Sequence, residues 1–323
     1  MENFIILMIV AATPLLLAAI GELVTERSGV LNLGIEGMML MGAVVAFATA
    51  NATGSTPLAI LAGAGAGAAM ALIFSVIALS LLANQPATGL ALTIFGIGAS
   101  GLIGQGFVGI ALEPLSKLSI PYLSDSTALG RILLSHDAMV YLALALAAGV
   151  AWFLYSARGG LALRAVGDNH ESAHALGYNV VAIRYLATLF GGACAGLGGA
   201  YLSVVDTPMW GENMTAGRGW IALAMVVFAT WRPGRLVAGA YLFAAVSILP
   251  FYAQAVDTFL CGRAPLLCFG DSEDKLLTLL PSQFLAMAPY LATILALVII
   301  SRDVNLTKAN APACIGRPFR AER

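Results

Sequence analysis

Apolar residues fall in long blocks separated by short polar stretches, and several blocks exceed the roughly 18 residues that mark a candidate membrane-crossing helix. They predict about nine spans, near residues 3–21, 33–50, 57–83, 87–111, 138–156, 183–205, 218–231, 235–257 and 284–301. The block ending at Trp231 is short, and the one containing Gly29, Gly34, Gly37 and Gly42 is dense in glycine. Both are candidates for a broken or re-entrant helix, which is tolerated where backbone lines a cavity or packs on protein. The same glycines suit close helix packing. The expected fold is all-α, a polytopic transmembrane helical bundle forming one domain over residues 1–323. Because the first apolar block lacks a basic leader and its only early charge is Glu2, it is expected to be span one rather than a cleaved signal.

Composition agrees with this pattern. Of 323 residues 60% are hydrophobic and 10% charged, with a mean hydropathy of +0.90, whereas soluble domains carry about 25% charged residues. The net charge of -1 matters less than its distribution. With the N-terminus outside, the inner segments hold Arg27, Arg158, Arg164, Arg184, Arg232, Arg235, Arg302, Lys308, Arg317, Arg320 and Arg323. The outer ones hold Lys117, Arg131, Arg218, Arg263 and Lys275. Eleven against five orients the N-terminus outward and the C-terminus into the cytoplasm. Residues 112–136 and 258–283 become outer loops, 157–182 the long cytoplasmic loop and 302–323 a cytoplasmic tail. Cys261 and Cys268 share an outer loop, either as a disulfide in an oxidising compartment or as two thiols. Cys194 in a span and Cys314 in the tail are expected to stay unpaired.

Asn32 and Glu36 lie four residues apart, on one helical face. An ionisable group at membrane depth costs on the order of 2.5–3.5 kcal/mol on insertion scales, so it faces protein or a water-filled cavity. Three readings of Glu36 stay open: substrate contact, a buried hydrogen bond tying this region to a neighbour, or a place at the interface.

In the cytoplasmic loop, Asp168 and Asn169 give a helix start, good helix formers follow, and Gly177 gives a stop. A short helix there can dock into a groove on a soluble motor. His170 and His174 have a metal-ligand spacing, but with no third ligand nearby they read better as polar docking residues. No metal site is expected, and no phosphate-binding GxxxxGK[ST] loop occurs, so any ATPase belongs to another chain.

The stretches ERSGVLNLGIEGMMLMGA, GLALRAVGDNHESAHALGYNV, GRGWIALAMVVFATWRPGRLVAGAYLF and APACIGRPFR resemble the permeases of bacterial ABC importers for simple sugars and nucleosides, over nearly the whole chain. The tail points toward the nucleoside-type branch. The resemblance implies a helical permease in the bacterial inner membrane, paired with a second and related permease. It also implies two ATPase subunits beneath, carrying ATP and Mg, and a periplasmic or lipoprotein substrate-binding protein outside. This chain would bind no cofactor, no nucleic acid, and would be no enzyme. The family's coupling motif falls on Arg164, Gly167, Asp168, Asn169, Glu171, Ala173, Leu176 and Gly177; His170 stands where proline is common. The loop KLSIPYLSDSTALG resembles the family's outer loop, with the binding protein as its expected contact.

Polar or aromatic residues within apolar spans are the candidate substrate pathway: Asn32, Glu36, Thr93, Phe95 and Gln105. Phe95 can stack on a base, although an aromatic in a span more often serves packing. The rival classes are an ion-coupled secondary transporter using Glu36, and a passive channel, which lacks any selectivity-filter pattern here. Within the importer class, a simple sugar or another heterocycle is the alternative substrate.

Overall fold

The computed structural model describes residues 2–113, 130, 132, 134–263, 287, 291, 294, 298 and 310–320, with backbone alone for 249–263. Helices run in the order α1 (Glu2–Arg27), α2 (Ile35–Thr53), α3 (Thr56–Ser75), α4 (Gln85–Gly104) and α5 (Ala138–Ser156). Two short helices follow, α6 (Arg158–Asp168) and α7 (His170–Ala175), then α8 (Val180–Ala200), α9 (Arg218–Phe228) and α10 (Pro233–Arg263). The membrane helices α3 and α8 continue into π-helical turns, Val76–Ser80 and Tyr201–Asp206. Among the described residues six helices, α1 to α5 and α8, are long and apolar enough to cross a bilayer, and α9 and the Pro233–Ile248 part of α10 are shorter apolar helices. Among the described residues there is no strand, only the isolated bridges Val108–Trp210 and Ala111–Met209.

The all-α bundle expected from the sequence is present. Most of the expected span near 284–301, most of both expected outer loops and residues 302–309 and 321–323 of the tail lie outside the described residues. α10 stays helical through Arg263, which puts Cys261 in its last turn rather than in a loop; Cys268 lies outside the described residues. Cys194 and Cys314 are buried free thiols.

The helix starts follow from their capping residues. Asn84 accepts from the Ala87 amide at the start of α4, Asp137 from Met139 and Val140 at α5, and Asn179 from Ala182 at α8. Each satisfies donors that a first turn leaves open.

At the centre, α8 packs against α1, α2 and α3. In lipid no hydrophobic force drives helices together, so close van der Waals contact between small residues carries the association. Gly63 and Gly67 of α3 meet Gly192, Gly196 and Ala200 of α8. A β-carbon at Gly67 would lie 2.1 Å from the Gly192 carbonyl oxygen. Gly42 of α2 meets Gly196, and Gly21 of α1 meets Gly191. Around this spine sit Leu16, Leu17, Ile20, Met38, Met39, Phe74 and Tyr201, all buried.

The glycine-rich 28–34 segment is an irregular connection between α1 and α2, not a span of its own. It is locked from several sides. Leu31 N–H donates to Gln85 Oε1 at 2.9 Å, the Thr93 hydroxyl to the Leu33 carbonyl at 2.9 Å, and Gly34 N–H to Asn32 Oδ1 at 2.9 Å.

Candidate functional site

α6 is amphipathic, burying Gly160, Ala162, Leu163, Val166 and Gly167. It stops at Asn169, whose extended backbone (φ -151°) breaks the helix and whose Oδ1 accepts the Ser172 amide at 3.0 Å, so it caps α7. Gly177 then adopts φ +89°, a left-handed conformation that glycine takes without penalty, and the chain turns toward α8. The helix expected between Asp168 and Gly177 is therefore present. Asp168, however, ends the preceding helix, and Asn169 alone starts α7.

α7 buries one face and exposes the other. Ala173 and His170 are buried, whereas Glu171, Ser172, His174 and Gly177 are exposed. Beyond its end Leu176 is 77% and Tyr178 43% exposed. Uncovered apolar side chains at the tip of a capped six-residue helix form a knob with a defined shape.

Arg184 of α8, which is fully buried, fixes that knob. Its Nε donates to the Ser28 carbonyl at 3.2 Å, Nη1 to the Arg317 carbonyl at 3.0 Å, and Nη2 lies 3.1 Å from His170 Nδ1. The tail closes the arrangement. Cys314 N–H donates to the Gly167 carbonyl at 2.9 Å, Gly316 N–H to Gly29 at 3.1 Å, and Cys314 Sγ lies 3.4 Å from the Asp168 carbonyl. The Phe319 ring meets those of His170 and His174 edge-on, at 5.2 and 5.4 Å. His170 is thus not a docking side chain; it belongs to the clasp between α7, α8 and the tail. Burial first, then the Arg184 charge, holds its pKa below the ordinary value, with Glu171 opposing and Arg317 adding to the depression. Gly167 sits against the Arg27 carbonyl, and Arg164 is half-buried with its guanidinium 5.5 Å from the Tyr155 ring centre.

Among the pathway candidates, Glu36 is committed internally. Its Oε1 accepts from the Thr215 hydroxyl at 2.5 Å and Gly217 N–H at 2.9 Å, and its Oε2 from Gly219 N–H at 2.6 Å. These groups form the N-terminus of α9, where open amides and the helix dipole favour a negative charge. The short block expected to be a broken helix is α9, with irregular backbone at Asn213 and Ala216 before it and at Thr230 and Trp231 after it, all at positive φ. Asn32 and Thr93 are likewise buried and serve the 28–34 segment. Phe95, on α4, is instead 55% exposed, and Gln105, in the turn just after α4, is exposed as well.

Sequence reasoning passed over Glu22 and Glu26, a buried i, i+4 pair on α1; Glu26 Oε2 accepts from the Trp231 indole at 2.5 Å. Two acids closing an apolar block were the available signal. Arg184 gave a similar one, as a lone charge opening a span.

With the geometry in hand, comparison with known proteins gives the class. Residues 4–268 match the family model described as the branched-chain amino acid transport system / permease component. The chain belongs to this family and is a membrane-embedded permease subunit of an ABC transporter. It is 41% identical to a putative glucose ABC transporter permease protein of Haloferax volcanii, covering 93% of each chain. It is 33% identical to the guanosine ABC transporter permease protein of Bacillus subtilis, over 96% of this chain and 94% of that one. A nucleoside ABC transporter permease protein of Lactococcus lactis is 32% identical with the same coverage. No solved structure matches the chain.

Proposed function

We propose that this permease moves a nucleoside inward as one half of a permease pair, driven by ATP hydrolysed on separate subunits that dock on α7. The observation that carries the coupling role is the α7 knob. Leu176, Tyr178 and Glu171 are offered to a partner, while the clasp through Arg184 and the tail ties α7 to α1, α6 and α8, so a push on the knob is delivered to the bundle. Residues Gly167, Asp168, Asn169 and Ala173 hold the knob in place rather than meet the motor, while Arg164 packs on the Tyr155 ring of α5. This orientation puts the C-terminus in the cytoplasm of a bacterial cell and the N-terminus outside, with a binding protein delivering substrate from there.

For the pathway, the surface of α4 and the turn after it support a route between this chain and its partner. Phe95 is exposed on α4 among Ile94, Ile97, Leu102 and Ile103, Gln105 is exposed just past its end, and the exposed Glu212 carboxylate covers the buried Gly101 on another side of the helix. Gln105 and Glu212 suit a water-filled mouth at this end of the helix rather than hydrocarbon. The two relatives named for guanosine and nucleosides support a nucleoside cargo. The 41% identical relative named for glucose supports a second reading, a simple sugar.

Uptake of labelled guanosine and labelled glucose, by cells expressing the chain with its neighbouring transporter genes, tests both readings. Guanosine uptake abolished by an ATPase-dead partner supports the first; ATP-dependent glucose uptake alone transfers the assignment to the second; uptake that survives ATPase loss rejects both. Leu176→Asp is expected to abolish uptake and ATPase association while the chain still reaches the membrane.

A further inference from the structure

Beside α6, where the ends of α1 and α5 meet the start of α10 and the tail, the structure holds a cleft of about 640 Å³ lined by Arg27, Arg164, Arg232, Arg235, Asp168 and Tyr155, with Asn310 and the first residues of α10. Four guanidinium groups face one carboxylate there. Like charges gathered in one cavity repel, and a fold keeps them together where something negative sits between them.

The arginines are not equally engaged. Arg27 is buried and spends Nε and Nη2 on the Trp231 carbonyl, at 3.1 and 2.8 Å, and Nη1 on the Asn310 carbonyl at 3.0 Å. It builds the floor. Arg164 Nε is buried and has no hydrogen-bond partner among the described residues. Arg232 and Arg235 stand exposed at the rim, with one side-chain hydrogen bond each among the described residues: Arg232 Nε to Asn310 Oδ1 at 3.4 Å, and Arg235 Nη1 to the Thr230 hydroxyl at 2.8 Å. Each planar fork keeps further N–H groups for a ligand. α10 begins in the same wall, so its first-turn amides add to the positive potential.

We propose that this cleft binds a phosphate-bearing anion, and that its source is the headgroup of an anionic phospholipid. The chemistry follows from the donors: planar guanidinium forks match tetrahedral phosphate oxygens, and charge-assisted bonds of this kind are the strong ones. The source follows from position. The last turns of α5 expose Trp152 by 65% and Tyr155 by 51%, and exposed aromatic side chains at a span end mark the depth of the headgroups. Tyr155 itself lines the cleft, so its mouth opens at that level. Basic pockets between membrane helices on this pattern hold anionic headgroups.

Thermal unfolding of the full-length chain in neutral detergent tests this, with added phosphatidylglycerol, phosphatidylcholine or inorganic phosphate. Native mass spectrometry of the same sample reads the retained lipid. Phosphatidylglycerol is expected to raise the unfolding midpoint and to stay bound through purification, phosphatidylcholine to do neither, and the Arg232→Gln/Arg235→Gln double variant to lose both effects. Both residues are exposed, so the variant folds; Arg218→Gln, away from the cleft, is the control and keeps both effects. A shift with inorganic phosphate alone, lost in the double variant, keeps the phosphate site but overturns the lipid source. No anion-dependent shift, or a shift that survives in the double variant, overturns the site. A variant that keeps the lipid response yet no longer associates with the ATPase would assign the arginines to an acidic protein surface and also overturn it.

Discussion

The Arg184 guanidinium lies 3.1 Å from His170 Nδ1, so the imidazole accepts there and carries its own proton on Nε2. A cation facing a neutral ring is stable only while that ring stays neutral.

Stability should therefore depend on pH through this pair. The ordinary histidine value is 6.5, and His170 lies below it when folded. On acidification the unfolded chain takes up the proton first. The contribution is thus intact above the ordinary value and is lost as the pH falls below it, until folded His170 protonates too. The slope of that loss stays below the roughly 1.4 kcal/mol per pH unit that a whole proton would give. Unfolding midpoints at pH 7.5 and 5.5 should differ more for the native chain than for His170→Gln, whose amide oxygen still accepts from Arg184. Equal differences would remove His170 as the cause.

Arg184→Lys should release the tail. A single ammonium cannot reach Ser28, Arg317 and His170 together as the three guanidinium nitrogens do. Cys314, 7% exposed and held by Gly167 and Asp168, reports on this in a background carrying Cys261→Ser and Cys268→Ser. Maleimide labelling of Cys314 should speed up markedly in Arg184→Lys, while Cys194, buried in α8, stays slow.

Glu36→Gln should destabilise the bundle by about 1–3 kcal/mol, the usual range for a buried donor left unmatched. The amide keeps one acceptor for three donors and turns an N–H₂ toward another N–H. The unfolding midpoint should drop for Glu36→Gln and further for Glu36→Ala. If instead Glu36→Gln unfolds like the native chain but loses transport, the carboxylate meets substrate or an ion.

Gly67→Val should prevent accumulation of folded chain, since its β-carbon would collide with the Gly192 carbonyl and Gly196. Gly65→Val, two residues away where nothing lies within 4 Å, is the matched control and should express normally. Chromatography in detergent separates the two outcomes.

Much of the fold was legible because hydrophobic block length is a direct consequence of bilayer thickness, and α1 to α5 and α8 follow the blocks closely. The α7 helix was legible through Asn169 and Gly177, whose signals are local. Partners brought from far along the chain were not. His170 and Arg184 are separated by a turn and a helix start, and Phe319 arrives from the tail, so nothing near His170 marks it as buried. Glu36 could be narrowed only to three roles, because Thr215, Gly217 and Gly219 become its donors only once α9 breaks where it does. The glycines of α3 and α8 carry a small-xxx-small pattern, at Gly63 with Gly67 and Gly192 with Gly196, but sequence reasoning passed over it for the glycines from Gly29 to Gly42.

The clasp also sets an order of events during biosynthesis. Ser28, Gly29, Gly167 and Arg184 emerge from the ribosome long before Cys314, Gly316, Arg317 and Phe319, which they need as partners. Until those late residues arrive, α7 has no ring to pack on and Arg184 lacks its contact to the Arg317 carbonyl. A chain cut short before the tail could insert its helices yet present no finished knob, so a motor that grips the knob would engage only chains translated to the end of the clasp.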